Sequence, residues 1–345
     1  MKFDVVIGNP PYQEESAGTS KRDEPIYHLF YDASFKIADK VCLISPARFL
    51  FNAGSTPKKW NQEMLNDEHV KVIYYEQNSS KVFQNTDIKG GVVVLFRNKS
   101  KKFDPIGLFT HFIELNTIVN KVTSRKDFKS FSDIVTNRGS YRYSDFAYED
   151  NPRVLAKTSD RRLSSNAFEK LSEIFHHVMP EDQNEYVSIL GRENSNRVYK
   201  WFNRRYLDEP SNFESYKVIF PKANGSGAIG EVLSTPLIGE PLIGEPLIGY
   251  LETFISAGEF DNQVYAENCL KYIKSKFCRA LLGVLKITQE NTKKTWAKVP
   301  LQDFTSTSDI DWTQSVADVD KQLYRKYGLT QEEIDFIETK VKEME

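Results

Sequence analysis

The strongest constraint on the fold is an apolar strand that ends in a double proline. Phe3–Gly8 is a short run of mostly apolar residues, which predicts a buried strand. Asn9-Pro10-Pro11-Tyr12 follows directly. Proline has no N–H to give to a sheet and restricts the residue before it, so the prolines end the strand in a turn of defined geometry. Open α/β sheets bind ligands beside the carboxyl ends of their strands, so this turn is a candidate site.

The turn has the chemistry to hold a planar amine. The Asn9 side-chain oxygen and the Pro10 carbonyl are two hydrogen-bond acceptors on a backbone with little freedom to move. Held together, they can bind an exocyclic NH2 group and leave the nitrogen lone pair pointing at an electrophile. Tyr12 offers an aromatic face on which a planar base can stack. This chemistry needs no proton relay through a histidine or a carboxylate.

Helices and strands alternate in the segment that follows the turn. The spacing of apolar residues predicts a helix over Pro25–Phe35, with Pro25 in its first turn, and another over Lys58–Leu65. Apolar runs predict strands at Val41–Ser45, Val70–Tyr75 and Gly91–Phe96. Such alternation is typical of an α/β fold with a parallel sheet. The pattern changes after about residue 125, so we predict two domains, residues 1–125 and 126–345.

The second part contains a basic and aromatic run over residues 192–206. Its cations are Arg192, Arg197, Lys200, Arg204 and Arg205, and Trp201 is one of the aromatic residues among them. Aromatic side chains beside cations are typical of nucleic-acid-binding surfaces, and a solvated helix face is the alternative. Lys222, before a glycine-rich loop, is a further candidate. The net charge of the chain is −2, so nucleic-acid binding would depend on a local basic patch.

Two other segments allow a local prediction. Pro-Leu-Ile-Gly recurs three times in Pro236–Tyr250, and proline and glycine every five residues argue against a helix or a central strand. We predict a lengthened loop there. Amphipathic patterns predict two helices near the end of the chain, Val319–Tyr327 and Gln331–Lys342. Thr330 is the predicted N-cap of the second helix, and Glu333 is its capping-box partner.

Composition excludes several classes of protein. Charged residues make up 27% of the chain and hydrophobic residues 40%, a balance typical of globular proteins. Apolar runs are far shorter than the ~20 residues of a membrane-spanning helix, and the first residues have no signal-peptide pattern. The three cysteines are odd in number and do not have a metal-ligand spacing, and the adjacent pair His176-His177 points in two directions. We therefore predict a cytoplasmic protein without a disulfide framework, a metal site or a membrane span.

These motifs resemble those of S-adenosylmethionine-dependent amino-methyltransferases. Phe3–Tyr12 is similar to the catalytic motif of the adenine-N6 DNA methyltransferases of restriction-modification systems, with a TaqI-like motif order. Ile26–Phe35 and Val41–Leu50 are similar to the next helix and strand of that family. Lys81–Val92 is similar to its later motif, whose phenylalanine stacks on the flipped base. The resemblance gives this role to Phe83, for which core packing is the alternative.

The resemblance implies a fold and a function. The fold is α/β, with a partial Rossmann-like methyltransferase sheet in residues 1–125, the C-terminal half of a catalytic domain. A mixed α+β target-recognition domain with C-terminal helices follows in residues 126–345. The implied function is methyl transfer from S-adenosylmethionine to a flipped-out adenine of double-stranded DNA in a restriction-modification system. The implied site residues are the catalytic Asn9, Pro10, Pro11 and Tyr12, the base-stacking Tyr12 and Phe83, and the DNA-contacting Arg192, Arg197, Lys200, Trp201, Arg204, Arg205 and Lys222.

One part of the family pattern does not occur here. In the family, a strand, a glycine-containing loop and an acidic residue that hold the cofactor precede the Asn-Pro-Pro-Tyr motif, which here begins at residue 9. We therefore expect the cofactor-binding residues upstream of Met1, and an unpaired edge on the strand Phe3–Gly8. A polypeptide that supplies this half, or a restriction subunit, is an expected partner. The chain would then be inactive alone.

Several alternatives stay open at this stage. The chain could be a catalytically inactive DNA-binding and target-recognition module, or a subunit of a split methyltransferase. Glutamine methyltransferases acting on release factors and some RNA guanine methyltransferases have similar turns, because each must hold a planar amide or amine. Phe83, which precedes Gly90-Gly91, and the long basic and aromatic region favour DNA adenine.

Overall fold

The computed structural model describes residues 2–14, 24–51, 55–84, 86, 88, 90–110, 112–224, 240–286 and 290–344. The chain divides into two compact units, Met1–Asn116 and Thr117–Glu345. The predicted boundary after residue 125 stays a prediction. Within the described ranges, every helix is too short or too polar to cross a lipid bilayer.

The first unit is built on a four-stranded mixed sheet with the order β1-β4-β6-β5. Its strands are β1 (Phe3–Gly8), β4 (Ala38–Pro46), β5 (Val70–Glu76) and β6 (Val92–Asn98), and the short β2 (Gln13–Glu14) and β3 (Glu24–Pro25) pair with each other. Strands β1 and β4 are parallel, whereas β6 is antiparallel to β4 and β5. The prediction of a parallel sheet is therefore wrong for β6. The residues described between β5 and β6 contain no crossover α-helix, and a short direct return makes neighbouring strands antiparallel.

Two helices pack on this sheet, α1 (Tyr27–Ile37) and α2 (Lys58–Asn66). The buried Tyr31 hydroxyl donates to the Leu43 carbonyl of β4 at 3.2 Å, and the Trp60 indole N–H donates to Asp32 at 2.9 Å. Tyr31 therefore joins α1 to the sheet, and Trp60 joins α2 to α1. The placement of Pro25 in the first helical turn is wrong, because Pro25 pairs with Gln13 in the short ladder of β2 and β3.

One side of β1 is apolar and uncovered. Val6 packs against the core, and alternation along a strand directs Phe3, Val5 and Ile7 to the other side. These three side chains are 48%, 46% and 78% exposed. In the described sheet β1 pairs with β4 only, which agrees with the predicted unpaired edge. Contiguous apolar surface of this kind favours association with another chain.

The second unit combines two larger sheets with helices. The sheets have the orders β14-β9-β10-β8 and β13-β12-β15, and β7 pairs with β11. The strands are β7 (Arg142–Tyr143), β8 (Phe175–His176), β9 (Tyr186–Glu193), β10 (Asn196–Asn203), β11 (Leu207–Asp208), β12 (Tyr216–Pro221), β13 (Leu242–Gly244), β14 (Ile248–Tyr250) and β15 (Phe254–Phe260). The fold as a whole is thus mixed α/β with several sheets.

The described helices after the first unit's sheet include long and short ones. They are α3 (Ile113–Thr123), α4 (Asp145–Asp150), α5 (Pro152–Leu155), α6 (Ala167–Lys170), α7 (Gln263–Lys274), α8 (Lys276–Gly283), α9 (Val316–Lys326) and α10 (Gln331–Lys340). The predicted capping box of α10 is confirmed. The Glu333 N–H donates to the Thr330 hydroxyl at 3.3 Å, and the Thr330 N–H donates to the Glu333 carboxylate at 2.7 Å.

The Pro-Leu-Ile-Gly segment forms strands where a loop was predicted. Leu242–Gly244 is β13, antiparallel to β12, and Ile248–Tyr250 is β14, parallel to β9. Both are short edge strands, and Pro241 and Pro246 lie outside them, so neither proline interrupts a ladder. The loop prediction is therefore wrong for these residues, and residues 236–239 lie outside the described ranges.

Candidate active site

The Asn-Pro-Pro-Tyr turn borders a cleft of about 930 Å³ in the first unit. Strands β1 and β4 are parallel and are paired up to Gly8 and Leu43, so the segments that follow them leave the same edge of the sheet. The cleft lies at these carboxyl ends. Its described lining residues are Asn9, Pro10, Pro11, Tyr12, Gln13, Pro25, Tyr27, Pro46, Arg48, Ser55, Phe83, Thr86 and Ile88.

A loop between β5 and β6 brings Phe83 to this cleft, and Ser79 organises the loop. Ser79 is buried, and its backbone carbonyl accepts the Phe83 N–H at 2.8 Å. Its hydroxyl donates to the Thr86 carbonyl at 3.0 Å and accepts the Ile88 N–H at 2.8 Å. A buried serine with three such bonds limits the conformations open to the loop.

Gly90 and Gly91 allow this loop to turn into β6. Their φ angles are +87° and +78°, a region that favours glycine. A Cβ on Gly91 would lie 2.3 Å from the Glu76 carbonyl oxygen, so a larger residue would displace backbone. The Gly91 carbonyl accepts the Ala47 N–H at 3.0 Å, which ties the Phe83 loop to the segment after β4.

The Tyr12 and Phe83 rings contact each other edge to face. Their centroids are 6.4 Å apart and their planes are inclined by 65°. A base between two parallel rings needs about 7 Å, two contacts of ~3.5 Å, so the rings must turn to form the predicted sandwich. Phe83 is half-buried and lies outside the unit's buried core cluster, which argues against core packing as its role. Stacking on a base stays a prediction for both residues.

The Tyr12 hydroxyl offers little chemistry to a ligand. It is buried without a hydrogen bond of good geometry. Burial raises the pKa of Tyr12 to about 12, and the nearby Asn9 side chain lowers this pKa by a smaller amount. Tyr12 is therefore neutral near pH 7, and its ring is the useful part. The exposed Asn9 and the half-buried Pro10 line the same cleft as that ring.

Arg48 lines the cleft, although it is not among the site residues predicted from the sequence. Among the described residues that line the cleft, Arg48 alone carries a charge at neutral pH. It lies close enough to Tyr27 to lower the pKa of that hydroxyl, although burial has the larger effect and raises it to about 12. One feature of the sequence could have indicated Arg48 as a cleft residue. Pro46 ends β4 much as Pro10 follows β1, and Arg48 comes two residues later.

The basic and aromatic run lies in the second unit, where it covers the end of β9, all of β10 and a 3-10 turn at Arg204–Tyr206. Strands β9 and β10 form a hairpin. Its turn residues Asn194 and Ser195 have φ angles of +48° and +66°, as two-residue hairpin turns require. The helix-face alternative is therefore wrong. Trp201 is half-buried within β10.

The cations predicted to contact DNA have partners within the second unit. Lys200 is 3% exposed and its ammonium lies 2.8 Å from Glu193, so it is not at the surface, which disagrees with a DNA contact. The other pairs are Arg192 and Arg197 over the Phe254 ring, Arg197 with Glu240, Arg204 with Glu185, Glu209 and Glu214, Arg205 with Asp150, and Lys222 with Glu252. Arg205 is the more open of the two adjacent arginines, with 53% of its side chain exposed against 24% for Arg204.

Metal ligands are not grouped in the part of the chain that the structure describes. No three His, Cys, Asp or Glu side chains there stand close enough to hold an ion. The described lining of the cleft offers uncharged polar groups, the aromatic rings of Tyr12, Tyr27 and Phe83, and one guanidinium, that of Arg48.

Comparison with known proteins bears mainly on the first unit. Residues 1–83 match the family described as Eco57I restriction-modification methylase. This segment includes the Asn-Pro-Pro-Tyr turn, β4 and Phe83. Its sequence is thus similar to that of a restriction-modification methylase.

Two individual proteins are also similar to the chain. An uncharacterized adenine-specific methylase of Mycoplasma pneumoniae (strain ATCC 29342 / M129 / Subtype 1) is 31% identical over 96 residues, which are 27% of this chain and 22% of that relative. The type IIG restriction endonuclease BpuSI, a solved structure, aligns with 98% of this chain and 54% of its own, at 11% identity and a TM-score of 0.34. The match to the curated relative therefore spans about a fifth of the relative's length, 22%.

Proposed function

We propose that this chain is the catalytic-motif and target-recognition part of a site-specific DNA methyltransferase of a restriction-modification system. Its product would be N6-methyladenine, with S-adenosylmethionine as the methyl donor. The observation that carries the proposal is the cleft in which Asn9 and Pro10 stand beside Tyr12 and Phe83. The match of residues 1–83 to a restriction-modification methylase supports it.

In this proposal the cleft holds an adenine that has left the duplex. The N6 amine donates its hydrogens to the Asn9 side-chain oxygen and the Pro10 carbonyl, which orients the nitrogen lone pair. The base stacks on Tyr12, and Phe83 turns from its edge contact to cover the other face. The chain thus contributes orientation and fixed dipoles. When bound, S-adenosylmethionine supplies the electrophilic methyl group.

The described cleft residues fit the base better than the whole cofactor. None of them is Asp or Glu, whereas nucleotide-binding α/β folds use an acidic residue to hold ribose hydroxyls. We therefore assign no cofactor-binding residue. A further polypeptide segment would complete the cofactor site and extend the sheet of the first unit toward a Rossmann-like arrangement.

We expect this chain alone to self-associate and to bind S-adenosylmethionine weakly or not at all. The uncovered side of β1 provides the apolar surface for association. Sedimentation at several protein concentrations and titration with labelled cofactor measure the two properties. Ile7→Lys should reduce association, whereas Val178→Lys, which changes a valine that is 80% exposed in the second unit, should not. A monomer with micromolar cofactor affinity would contradict both expectations.

A DNA-binding module without catalysis of its own is the second candidate function. The exposed side of β1 and the lack of a carboxylate among the described cleft residues favour it. The experiment that separates the two supplies the chain with unmethylated genomic DNA and S-adenosylmethionine, with and without the polypeptide encoded next to it. Mass spectrometry then measures N6-methyladenine. Methylation under either condition supports the methyltransferase, and its absence under both supports the module.

The exposed Arg205 provides a prediction about DNA binding. Arg205→Gln is expected to weaken binding to duplex DNA and to reduce the slope of log affinity against log salt by about 1, one phosphate contact. Arg204→Gln is the matched control, because three carboxylates already surround Arg204. Affinity measured at several salt concentrations gives both slopes. An unchanged slope in Arg205→Gln would place the DNA contacts elsewhere on the second unit.

A further inference from the structure

We propose that Arg48 forms a phosphate subsite in the cleft and binds a phosphodiester group of the nucleotide whose base lies against Tyr12. This inference rests on the proposed function, because it assumes a nucleotide in this cleft. It adds a contact to the sugar-phosphate backbone beside the proposed contacts to the base.

The chemistry of the cleft is complementary to a whole nucleotide. Tyr12 and Phe83 present aromatic rings suited to a base, and Asn9 presents an acceptor suited to its amine. Arg48 adds the one charge among the described lining residues, and that charge is positive. A guanidinium binds phosphate oxygens through two parallel N–H donors, which makes arginine the preferred residue for this ligand.

The stem of Arg48 is confined by its neighbours. A Cβ on Gly90 would lie 2.9 Å from the Arg48 Cγ, so the absence of a side chain at Gly90 leaves the space that the arginine stem occupies. The Gly90 carbonyl accepts the Tyr75 hydroxyl at 3.2 Å, which holds that backbone in place. Arg48 itself is exposed to solvent. A restrained stem loses less conformational entropy when the side chain binds an anion.

Arg48 also lies at the same edge of the sheet as the Asn-Pro-Pro-Tyr turn. It follows β4, and the Asn-Pro-Pro-Tyr turn follows β1, the neighbouring parallel strand. Adjacent strands lie only about 4.8 Å apart. Asn9 and Arg48 also line the same cleft, so one nucleotide can meet Asn9 with its base and Arg48 with its backbone. The Ala47 N–H donates to the Gly91 carbonyl and so links the segment that carries Arg48 to the Phe83 loop. The proposed contacts of Asn9, Phe83 and Arg48 therefore come from segments that are joined to one another.

The test compares two small ligands that differ in phosphate. The full chain is titrated with deoxyadenosine and with deoxyadenosine 3′,5′-bisphosphate, and binding is followed by ligand-observed NMR. We expect the bisphosphate to bind about tenfold more tightly, the lower end of the range for hydrogen bonds between charged groups. Arg48→Met keeps the stem and removes the charge. It should therefore bring the ratio of the two affinities, bisphosphate over deoxyadenosine, close to one. Lys36→Met, an exposed cation on α1, is the matched control and should keep the ratio.

Each further outcome has a defined meaning. A ratio near one in the unchanged chain, no detectable bisphosphate binding at millimolar concentration, or an unchanged ratio in Arg48→Met overturns the subsite. Arg48→Lys, which keeps the charge, should retain part of the ratio, and high salt should lower the ratio in the unchanged chain without any substitution. If the phosphate preference depends on Arg48 but deoxythymidine binds as well as deoxyadenosine, the subsite stands and adenine recognition fails.

Discussion

Replacing Asn9 with alanine is expected to lower the rate of methyl transfer at least about a hundredfold, as loss of one fixed polar group in an active site commonly does. The substitution removes the side-chain acceptor for the N6 amine and leaves the Pro10 carbonyl alone to orient the nitrogen. Binding to duplex DNA should change little, because most protein–DNA hydrogen bonds are made to phosphate and sugar. Asn9 is exposed, so the fold should tolerate the change.

The measurement needs the active form, which is the chain together with the polypeptide that completes it if one is required. Incorporation of labelled methyl groups into genomic DNA gives the rate without knowledge of the target sequence. Asn66→Ala, an exposed asparagine at the end of α2, is the matched control and should keep full activity. Unchanged methylation by Asn9→Ala would remove the Asn-Pro-Pro-Tyr turn from the catalytic site.

The second large effect concerns Tyr12, where two substitutions should behave differently. Tyr12→Ala removes an aromatic face, and stacking of a base on such a face contributes ~1–3 kcal/mol, roughly five- to 150-fold in affinity. Tyr12→Phe should keep the activity, because the hydroxyl makes no hydrogen bond of good geometry and a pKa of about 12 keeps it neutral. Removal of a buried unpaired hydroxyl can also raise the free energy of unfolding.

Fluorescence of 2-aminopurine placed at adenine positions reports the stacked state of the base, and methyl transfer reports turnover. We expect Tyr12→Ala to reduce both the stacking of the base and the rate of methyl transfer. Tyr12→Phe should reduce neither the stacking nor the rate. A strong loss of turnover in Tyr12→Phe with normal stacking would show that the hydroxyl takes part in the reaction. That result would replace the interpretation in which Tyr12 acts only through its ring.

The local features of this chain could be predicted because neighbouring residues decide them. The two prolines end β1 where the sequence indicates, and Thr330 and Glu333 form their capping box across three residues. The strand and helix positions in the first unit follow for the same reason. Asn9 to Tyr12 and Phe83 line one cleft, as expected from the resemblance, although their roles stay predictions.

Other features required the tertiary structure because they join residues far apart in the sequence. Apolar content predicted a strand at β6, but its direction depends on the path of the loop before it. The run around Arg204 suggested free positive charge, yet its carboxylate partners Glu185 and Glu214 lie outside that run. A cation's availability depends on every acid that the fold brings near it, and a sequence pattern records only the adjacent ones.

The amino-acid sequence by itself determined the candidate catalytic turn, because proline geometry and an apolar strand act within ten residues of one another. The tertiary structure decided what stands around that turn. Pairing of β1 with β4 brings Arg48 to the same cleft, and the Ser79-centred loop brings Phe83 there. The physical reason is that backbone restriction is a local property. The composition of a cleft, by contrast, depends on strand pairing and loop closure over long sequence separations.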